Sequence, residues 1–261
     1  MTQIDIEKHE KEITEKGWTA FRGVYSAELI AKACEELDEI RPTYDEIHKE
    51  QGVYEETKNA YHHTVVLSPA QLEMINPNPL HGFLENYFGG RYILNTMGTS
   101  YVLPQTGIYT QRIHRDIRSF SGKERLTVNT LIMLDDCTEE NGATWMLEGS
   151  QYQDDKPDED FFYKNSVRAT GKAGDILVFD SNIWHAAGTN NSDKVRRIIT
   201  PFFSKPLMKQ SLDYPRAFGY DFANRIPDEL KQILGYNALT PVTLSEFYKP
   251  REKRFYKADQ G

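Results

Sequence analysis

The sequence predicts a mainly β protein, a sandwich or barrel with helical segments at either end. Three observations predict it. Between Arg91 and Phe203, short runs rich in β-branched and aromatic residues recur, among them RYILNTMGTSYVL, GIYTQRIHRDIRSF, LTVNTLIML, GATWML, DILVFD, WHAAG and RRIITPFF. Turn-formers separate the runs at Pro104, Gly107, Gly122, Asn141-Gly142, Gly149, Gly171, Gly174 and Asn190-Asn191. Outside this stretch, helical spacing, proline breaks and charge take over.

Each element has its own local reason. Ile4 to Lys16 is charged with few apolar positions and reads as an exposed helix that Gly17 stops. Trp18 to Tyr25 reads as a strand. Ser26 suits an N-cap, because its side-chain oxygen can accept from the free amides of the first turn. Leu29, Ile30, Ala33, Leu37 and Ile40 then recur at helical spacing, and Pro42 is expected to end that helix. Residues 41–68 read as irregular, with Tyr44, Tyr54, Tyr61, His62 and His63 among them. Pro69 to Phe88 reads as helical in parts, broken by Pro77 and Pro79 and closed by Gly89-Gly90. The β core is placed at about 91–205. Beyond Pro206 the chain is expected to be irregular, helical over Pro227 to Leu234, and to finish in KPREKRFYKADQG. With no internal repeat and no Gly/Ser linker, 1–261 is expected to form a single domain.

Composition narrows the function. Lys plus Arg number 31 against 39 Asp plus Glu, a formal charge of −8, which argues against a nucleic-acid partner. Hydrophobic residues make up 39% and charged residues 27%, as in a folded soluble protein. No run approaches the ~18 apolar residues of a membrane span. The start, MTQIDIEKHEKEITEK, has no apolar stretch, and Cys34 and Cys137 are the only cysteines. A reducing, cytoplasmic setting is the expectation.

The chemistry begins at His114-Arg115-Asp116. On a strand, residues i and i+2 project to one face, so His114 and Asp116 offer a divalent metal an imidazole nitrogen and a carboxylate oxygen side by side. An HxD pair alone arises often by chance. His185 adds weight through its context, since Ile176 to Phe179 reads as a buried strand and Trp184 to Ala186 extends the β texture. A hairpin centred between Asn190 and Asn191 would oppose His185 to Arg196, placing the guanidinium on the His185 side and Arg197 on the other. Two histidines and a carboxylate with open positions form the facial triad of non-haem Fe(II) oxygenases, and a partnered arginine suits a metal-bound oxo acid better than it suits a zinc site.

The N-terminal EKGWTAFRGVYSAELIAKACEELDEI, the HRD at 114–116, LIMLDDCTEENGATWMLEGSQ at 131–151 and GDILVFDSNIWHAAGTNNSDKVRR at 174–197 together resemble the phytanoyl-CoA dioxygenase (PhyH) family of Fe(II)/2-oxoglutarate-dependent oxygenases. The tail IPDELKQILGYNALTPVTLSEFYKPREKRFY is similar too. The resemblance implies a double-stranded β-helix core, a jelly roll of the cupin type. It implies iron held by His114, Asp116 and His185, and Arg196 on the distal carboxylate of 2-oxoglutarate. Two departures stand out. Ala187 occupies a position where the family often has Ser or Gly, so a hydroxyl contact is missing or supplied elsewhere. Gln151 replaces the histidine of the usual GSH, which is not an iron ligand in the family pattern.

Further lining residues follow from alternation. Asn129, with Thr127 and Leu131, is expected to look inward, and the family pattern puts Thr99 and Tyr101 inward near the co-substrate. Arg112 and Arg118 share the period-two face of His114 and Asp116 if the strand stays regular, where they could meet an anionic substrate group. His62 and His63 are expected to cover the mouth without ligating metal. The reading is a hydroxylase of a small polar metabolite or natural-product intermediate that uses Fe(II), 2-oxoglutarate and O2 and releases succinate and CO2. The competing readings are a cupin-type metal enzyme without 2-oxoglutarate and a non-catalytic β-sandwich binding module.

Overall fold

The structure is a computed structural model that describes residues 4–254 and 256–260; Met1–Gln3, Phe255 and Gly261, which belong to the charged start and the basic tail read above, lie outside the described residues. Two antiparallel sheets form the core. Strands β1 (Trp18–Phe21), β2 (Ala60–His62), β3 (Ile93–Val102), β4 (Thr127–Met133), β5 (Thr144–Met146), β6 (Val167–Ala169), β7 (Ile176–Asp180), β8 (His185–Ala186) and β9 (Arg196–Ser204) divide between them. The six-stranded sheet runs β1-β7-β4-β9-β3-β2 and the three-stranded sheet β6-β5-β8. This is the jelly roll the sequence implied.

The six-stranded sheet is covered on both faces. Val128 and Ile132 of β4 and Ile176 and Val178 of β7 pack outward on the helices, against Ile13, Ala33 and Leu37. Leu131, Met133, Leu177 and Phe179 point the other way, into the space between the sheets. Burial of both faces is why Ile176 to Phe179 of β7 reads as a continuous apolar run.

The first helix spans Ile6–Lys16. Asp5 caps it by accepting from the Lys8 amide, and Gly17, at φ 87, closes it with its N–H on the Ile13 carbonyl. Ser26 caps the next helix, Ala27–Glu50, by accepting from Leu29 N–H.

That helix corrects the expected stop at Pro42, which lies inside it. Proline deletes one backbone donor, but packing beyond it holds the helix. Tyr44 Oη donates to the His63 carbonyl at 3.0 Å, and the His48 ring stacks on Tyr61 at 5.5 Å. The segment read as irregular after it also contains β2, which pairs Tyr61 with Thr99.

Two β expectations change. The 107–120 run is not a regular strand. His114 makes an isolated bridge with His185, and the Asp116 and Ile117 amides both bond the Ser181 carbonyl, so the ladder cannot continue. The His185–Arg196 hairpin does not form either. β8 pairs with β5, while β9 pairs with β3 and β4, so the chain between them passes from one sheet to the other. Among the described residues no helix is long and apolar enough to cross a membrane.

Candidate active site

His114, Asp116 and His185 meet at the mouth of the jelly roll although 69 residues separate the last two in sequence. Their donor atoms all lie within 4.8 Å of one another. His114 Nε2 is 3.5 Å from Asp116 Oδ1, and His185 Nε2 is 3.4 Å from Oδ2. The two ring centroids are 4.3 Å apart. The His114–His185 bridge sets this spacing, with backbone bonds of 3.0 and 2.9 Å in the two directions.

Both rings present Nε2 to the site for the same reason. His114 Nδ1–H donates to the Arg112 carbonyl at 2.7 Å, and His185 Nδ1–H donates to the Ile183 carbonyl at 3.1 Å. Such bonds fix the tautomer and leave the other nitrogen's lone pair free for a metal. Burial lowers the His185 pKa to about 4, against the pull of Asp116, so that ring is neutral at physiological pH. Burial also acts on His114, but its contact with Asp116 and the Arg112 carbonyl outweigh it and the pKa rises. Asp116 is buried, which would raise its pKa; the two imidazoles and the Asn129 amide overcome this and hold it well below the usual carboxylate range. Once a metal displaces the His114 proton, the cluster offers two imidazole nitrogens and one carboxylate, the donor set suited to ferrous iron with positions left open.

Arg196 lies on the inward face of β9, opposite Val102 of β3 and in step with Ile198, Thr200 and Phe202, which line the cavity. Its side was anticipated correctly; its pairing partner was not. It is 0% exposed. Nε donates to the Asn141 carbonyl at 3.0 Å, Nη2 to the Gly142 carbonyl at 2.8 Å, and Nη1 to Cys137 Sγ at 3.7 Å. Gly142 sits at φ +87, and a Cβ there would stand 2.4 Å from the Gly188 carbonyl oxygen, so the turn that presents these acceptors needs glycine. No carboxylate among the described residues neutralises this guanidinium. A buried fixed charge without a counter-ion is costly, and a bound dianion would complete it.

The cavity that contains the triad has a volume of about 970 Å³. Thr127, Asn129 and Leu131 all line it, as alternation along β4 required. The Asn129 amide donates to Asp116 Oδ2, a contact that orients the carboxylate. Asn129 Oδ1 and Thr127 Oγ1 are buried with no hydrogen-bond partner.

Thr99 borders the cavity, but the inward assignment of its side chain is corrected. It pairs with Ile199, whose side packs under the helices, and its hydroxyl bonds Thr64 Oγ1 at 3.0 Å. Tyr101 shares that outer face and donates to Asp38 at 3.2 Å. The inward residues of β3 are instead Thr96, Gly98 and Ser100.

Arg112 and Arg118 part company because the HRD segment is not a regular strand. Arg112 is exposed and outside the cavity lining, while Arg118 lies on it. His62 and His63 both line the cavity. His62 Nε2 lies 3.2 Å from the Tyr109 hydroxyl, and His63 Nδ1 lies 2.9 Å from Tyr214 Oη. Sequence reasoning missed Tyr109, Thr144, Thr200 and the Met208–Ser211 loop, all on the wall. Thr144 and Thr200 carry hydroxyls into the cavity that Ala187 also lines, where the family's usual hydroxyl is absent.

A jelly roll with two imidazoles and a carboxylate converging on an open cavity belongs to the 2-His-1-carboxylate class of metalloproteins. Within that class the chain belongs to the phytanoyl-CoA dioxygenase (PhyH) family, whose model matches residues 13–198. An uncharacterized protein of Mycobacterium tuberculosis is 34% identical over 154 residues, covering 59% of this chain and 56% of that relative, so the match spans little more than half of the relative's length. The dioxygenase olcK of Penicillium canescens is 29% identical over 231 residues, 78% of this chain and 73% of its own. Among solved structures, HygX of Streptomyces hygroscopicus, with nickel and 2-oxoglutarate bound, superposes with a TM-score of 0.64 at 11% identity over 78% of this chain and 88% of its own. EctD of S. alaskensis, with 2-oxoglutarate and 5-hydroxyectoine, gives 0.61 at 15% identity over 77% and 76%. At those identities the likeness concerns the fold.

Proposed function

We propose that this chain is an Fe(II)/2-oxoglutarate-dependent oxygenase that hydroxylates a small polar metabolite or natural-product intermediate. The observation that carries the reading is the His114–Asp116–His185 cluster in a cavity whose inward β9 face also holds Arg196, a buried cation with no carboxylate partner among the described residues. In this reading His114, Asp116 and His185 hold the metal, Asn129 fixes the Asp116 rotamer, and Arg196 receives the distal carboxylate of 2-oxoglutarate as a charge-assisted bond. Bound iron and 2-oxoglutarate supply the oxidation: O2 and the oxo acid are consumed, succinate and CO2 leave, and one oxygen atom enters a substrate C–H bond. The protein's own share is position and exclusion of water. Phe179 packs edge-on against the His185 ring at 4.9 Å, and Leu131 and Ile198 line the wall beside it.

The reading treats 1–261 as one oxygenase unit in a reducing, cytoplasmic compartment, and the free thiols of Cys34 and Cys137 fit that setting. The test is calorimetric titration of Fe(II), then 2-oxoglutarate, under anaerobic conditions, followed by succinate formation in air. Expected are one metal site abolished by His185→Ala, 2-oxoglutarate binding only after metal, and succinate production. Metal binding without 2-oxoglutarate binding would favour a cupin-type enzyme of other chemistry. Absence of metal binding would favour a non-catalytic module.

A further inference from the structure

The chain carries a formal charge of −8, yet its cavity does not share that sign. Of the permanently charged side chains lining it, Asp116 is the acid and Arg118 and Lys209 are the bases. In the loaded site a divalent metal offsets the dianion 2-oxoglutarate, and Asp116 offsets Arg196. Arg118 and Lys209 remain without a counter-charge, and neither forms an ion pair among the described residues.

Both cations sit on anchored loops. Lys209 belongs to the segment that follows β9. An irregularity in the β3–β9 register between Leu94 and Thr96 leaves Asn95 out of the pairing and free to hold that segment. Asn95 Nδ2 donates to the Lys209 carbonyl at 2.9 Å, the Ser211 hydroxyl donates to Asn95 Oδ1 at 2.8 Å, and Gln210 Nε2 donates to the Leu94 carbonyl at 2.7 Å. Arg118 follows directly on the Asp116 and Ile117 amides, which bond Ser181, and the Ser121 amide is tied to Asn182 Oδ1 at 3.2 Å. Both residues are exposed and line the one cavity, whose lining also includes polar groups such as His62 and Tyr109.

We infer that the substrate is an anion whose carboxylate or phosphate is received by Arg118 and Lys209 at the cavity mouth, with the C–H bond to be oxidised directed inward to the metal. The inference rests on the oxygenase reading and adds the substrate's charge class to it. Two fixed cations raise the local concentration of anions and orient them on entry, and they disfavour cations by the same field.

The test is saturation-transfer NMR on protein loaded with diamagnetic Zn(II), with and without 2-oxoglutarate, at low salt. The probes are benzoate, phenyl phosphate, benzamide and benzylammonium. With 2-oxoglutarate present, the two anions are expected to bind and the amide and ammonium to bind several-fold more weakly. Exposed charge pairs contribute modestly, so R118Q and K209Q should each weaken the preferred anion by roughly threefold, and the double variant by about tenfold. Both positions are exposed, so the variants should fold, and unchanged thermal midpoints check this. Preference between benzoate and phenyl phosphate separates carboxylate from phosphate. Equal binding of all four probes, preference for benzylammonium, or an unchanged anion affinity in the double variant overturns the inference. Failure of 2-oxoglutarate to bind the loaded protein sinks the oxygenase reading instead, while the anion-to-ammonium ratio still reports the cavity's charge.

Discussion

The guanidinium of Arg115 lies 4.1 Å over the ring of Trp184. Arg115 stands between His114 and Asp116, and Trp184 directly precedes His185. The three cluster residues line the cavity, and these two do not. The guanidinium is also 5.1 Å from the Phe120 ring centroid and donates to the Asp154 and Gln153 carbonyls, with its side chain 10% exposed. An outer stack thus clamps together the two segments that carry the inner cluster. A desolvated cation–π contact contributes about 2 kcal/mol. Arg115→Ala is therefore expected to weaken metal binding by roughly tenfold, measured by competition calorimetry with Zn(II) or Co(II). Arg115→Lys should fall between, since it keeps the charge and loses the flat stack and the carbonyl bonds. Unchanged metal affinity in Arg115→Ala would remove the clamp.

Arg196 gives one prediction for binding and one for stability. Arg196→Lys keeps a positive charge but cannot bond the Asn141 and Gly142 carbonyls and a dianion in one fork. The half-saturating concentration of 2-oxoglutarate should rise by about tenfold to a hundredfold, the effect of a lost charge-assisted pair. Metal affinity should stay near the wild-type value. Thermal unfolding should come at lower temperature, because two buried carbonyls lose a donor. Succinate formation against 2-oxoglutarate concentration, with a melt alongside, checks both limbs.

Asn129 separates two roles that sequence reasoning merged. A residue that holds the co-substrate changes the affinity for 2-oxoglutarate; one that orients Asp116 changes the affinity for metal. The Asn129 amide is on Asp116 Oδ2, so Asn129→Ala is expected to weaken metal binding by about tenfold with a smaller effect on 2-oxoglutarate at saturating metal. The reverse pattern would return Asn129 to the co-substrate.

Much of this arrangement was legible in the residues. β7 announced itself as an apolar run because both of its faces are buried, and the inward set Thr127, Asn129, Leu131 of β4 followed from period two. The spacing from HxD to His185 to Arg196 carried the cluster. What failed were inferences from local signals to distant partners. Asn190-Asn191 does mark a turn, with the Asn190 amide donating to the Val102 and Lys194 carbonyls at 2.7 Å each, yet the strands it joins diverge into different sheets. A turn signal encodes local dihedrals and not which sheet receives the next strand. Pro42 failed as a stop because one lost hydrogen bond is outweighed by aromatic packing further along the helix. Lys209 had no signal at all, since it reaches the cavity through bonds to Asn95, 114 residues away in sequence.

The last prediction concerns pH and the cavity wall. Burial, reinforced by the neighbouring His62, lowers the His63 pKa to about 4 from an ordinary value of 6.5. The ring's Nδ1 lies 2.9 Å from Tyr214 Oη. Above about pH 6.5 both folded and unfolded chains hold His63 neutral, and the pH has no leverage through it. Between about 6.5 and 4 the unfolded chain takes up a proton that the folded chain refuses, so stability falls as pH falls across that window. His9 and His62, also lowered by burial, act in the same direction, so the total slope is shared. His63→Asn isolates one share. Its backbone is at φ 60, a left-handed conformation that asparagine tolerates, so the substitution adds little strain. Urea midpoints at about pH 7, 6 and 5 should fall less steeply in His63→Asn than in the wild type, by up to about one proton in the linkage slope. Parallel slopes would mean that the imidazole stays free to charge in the folded state, and that burial does not hold it neutral.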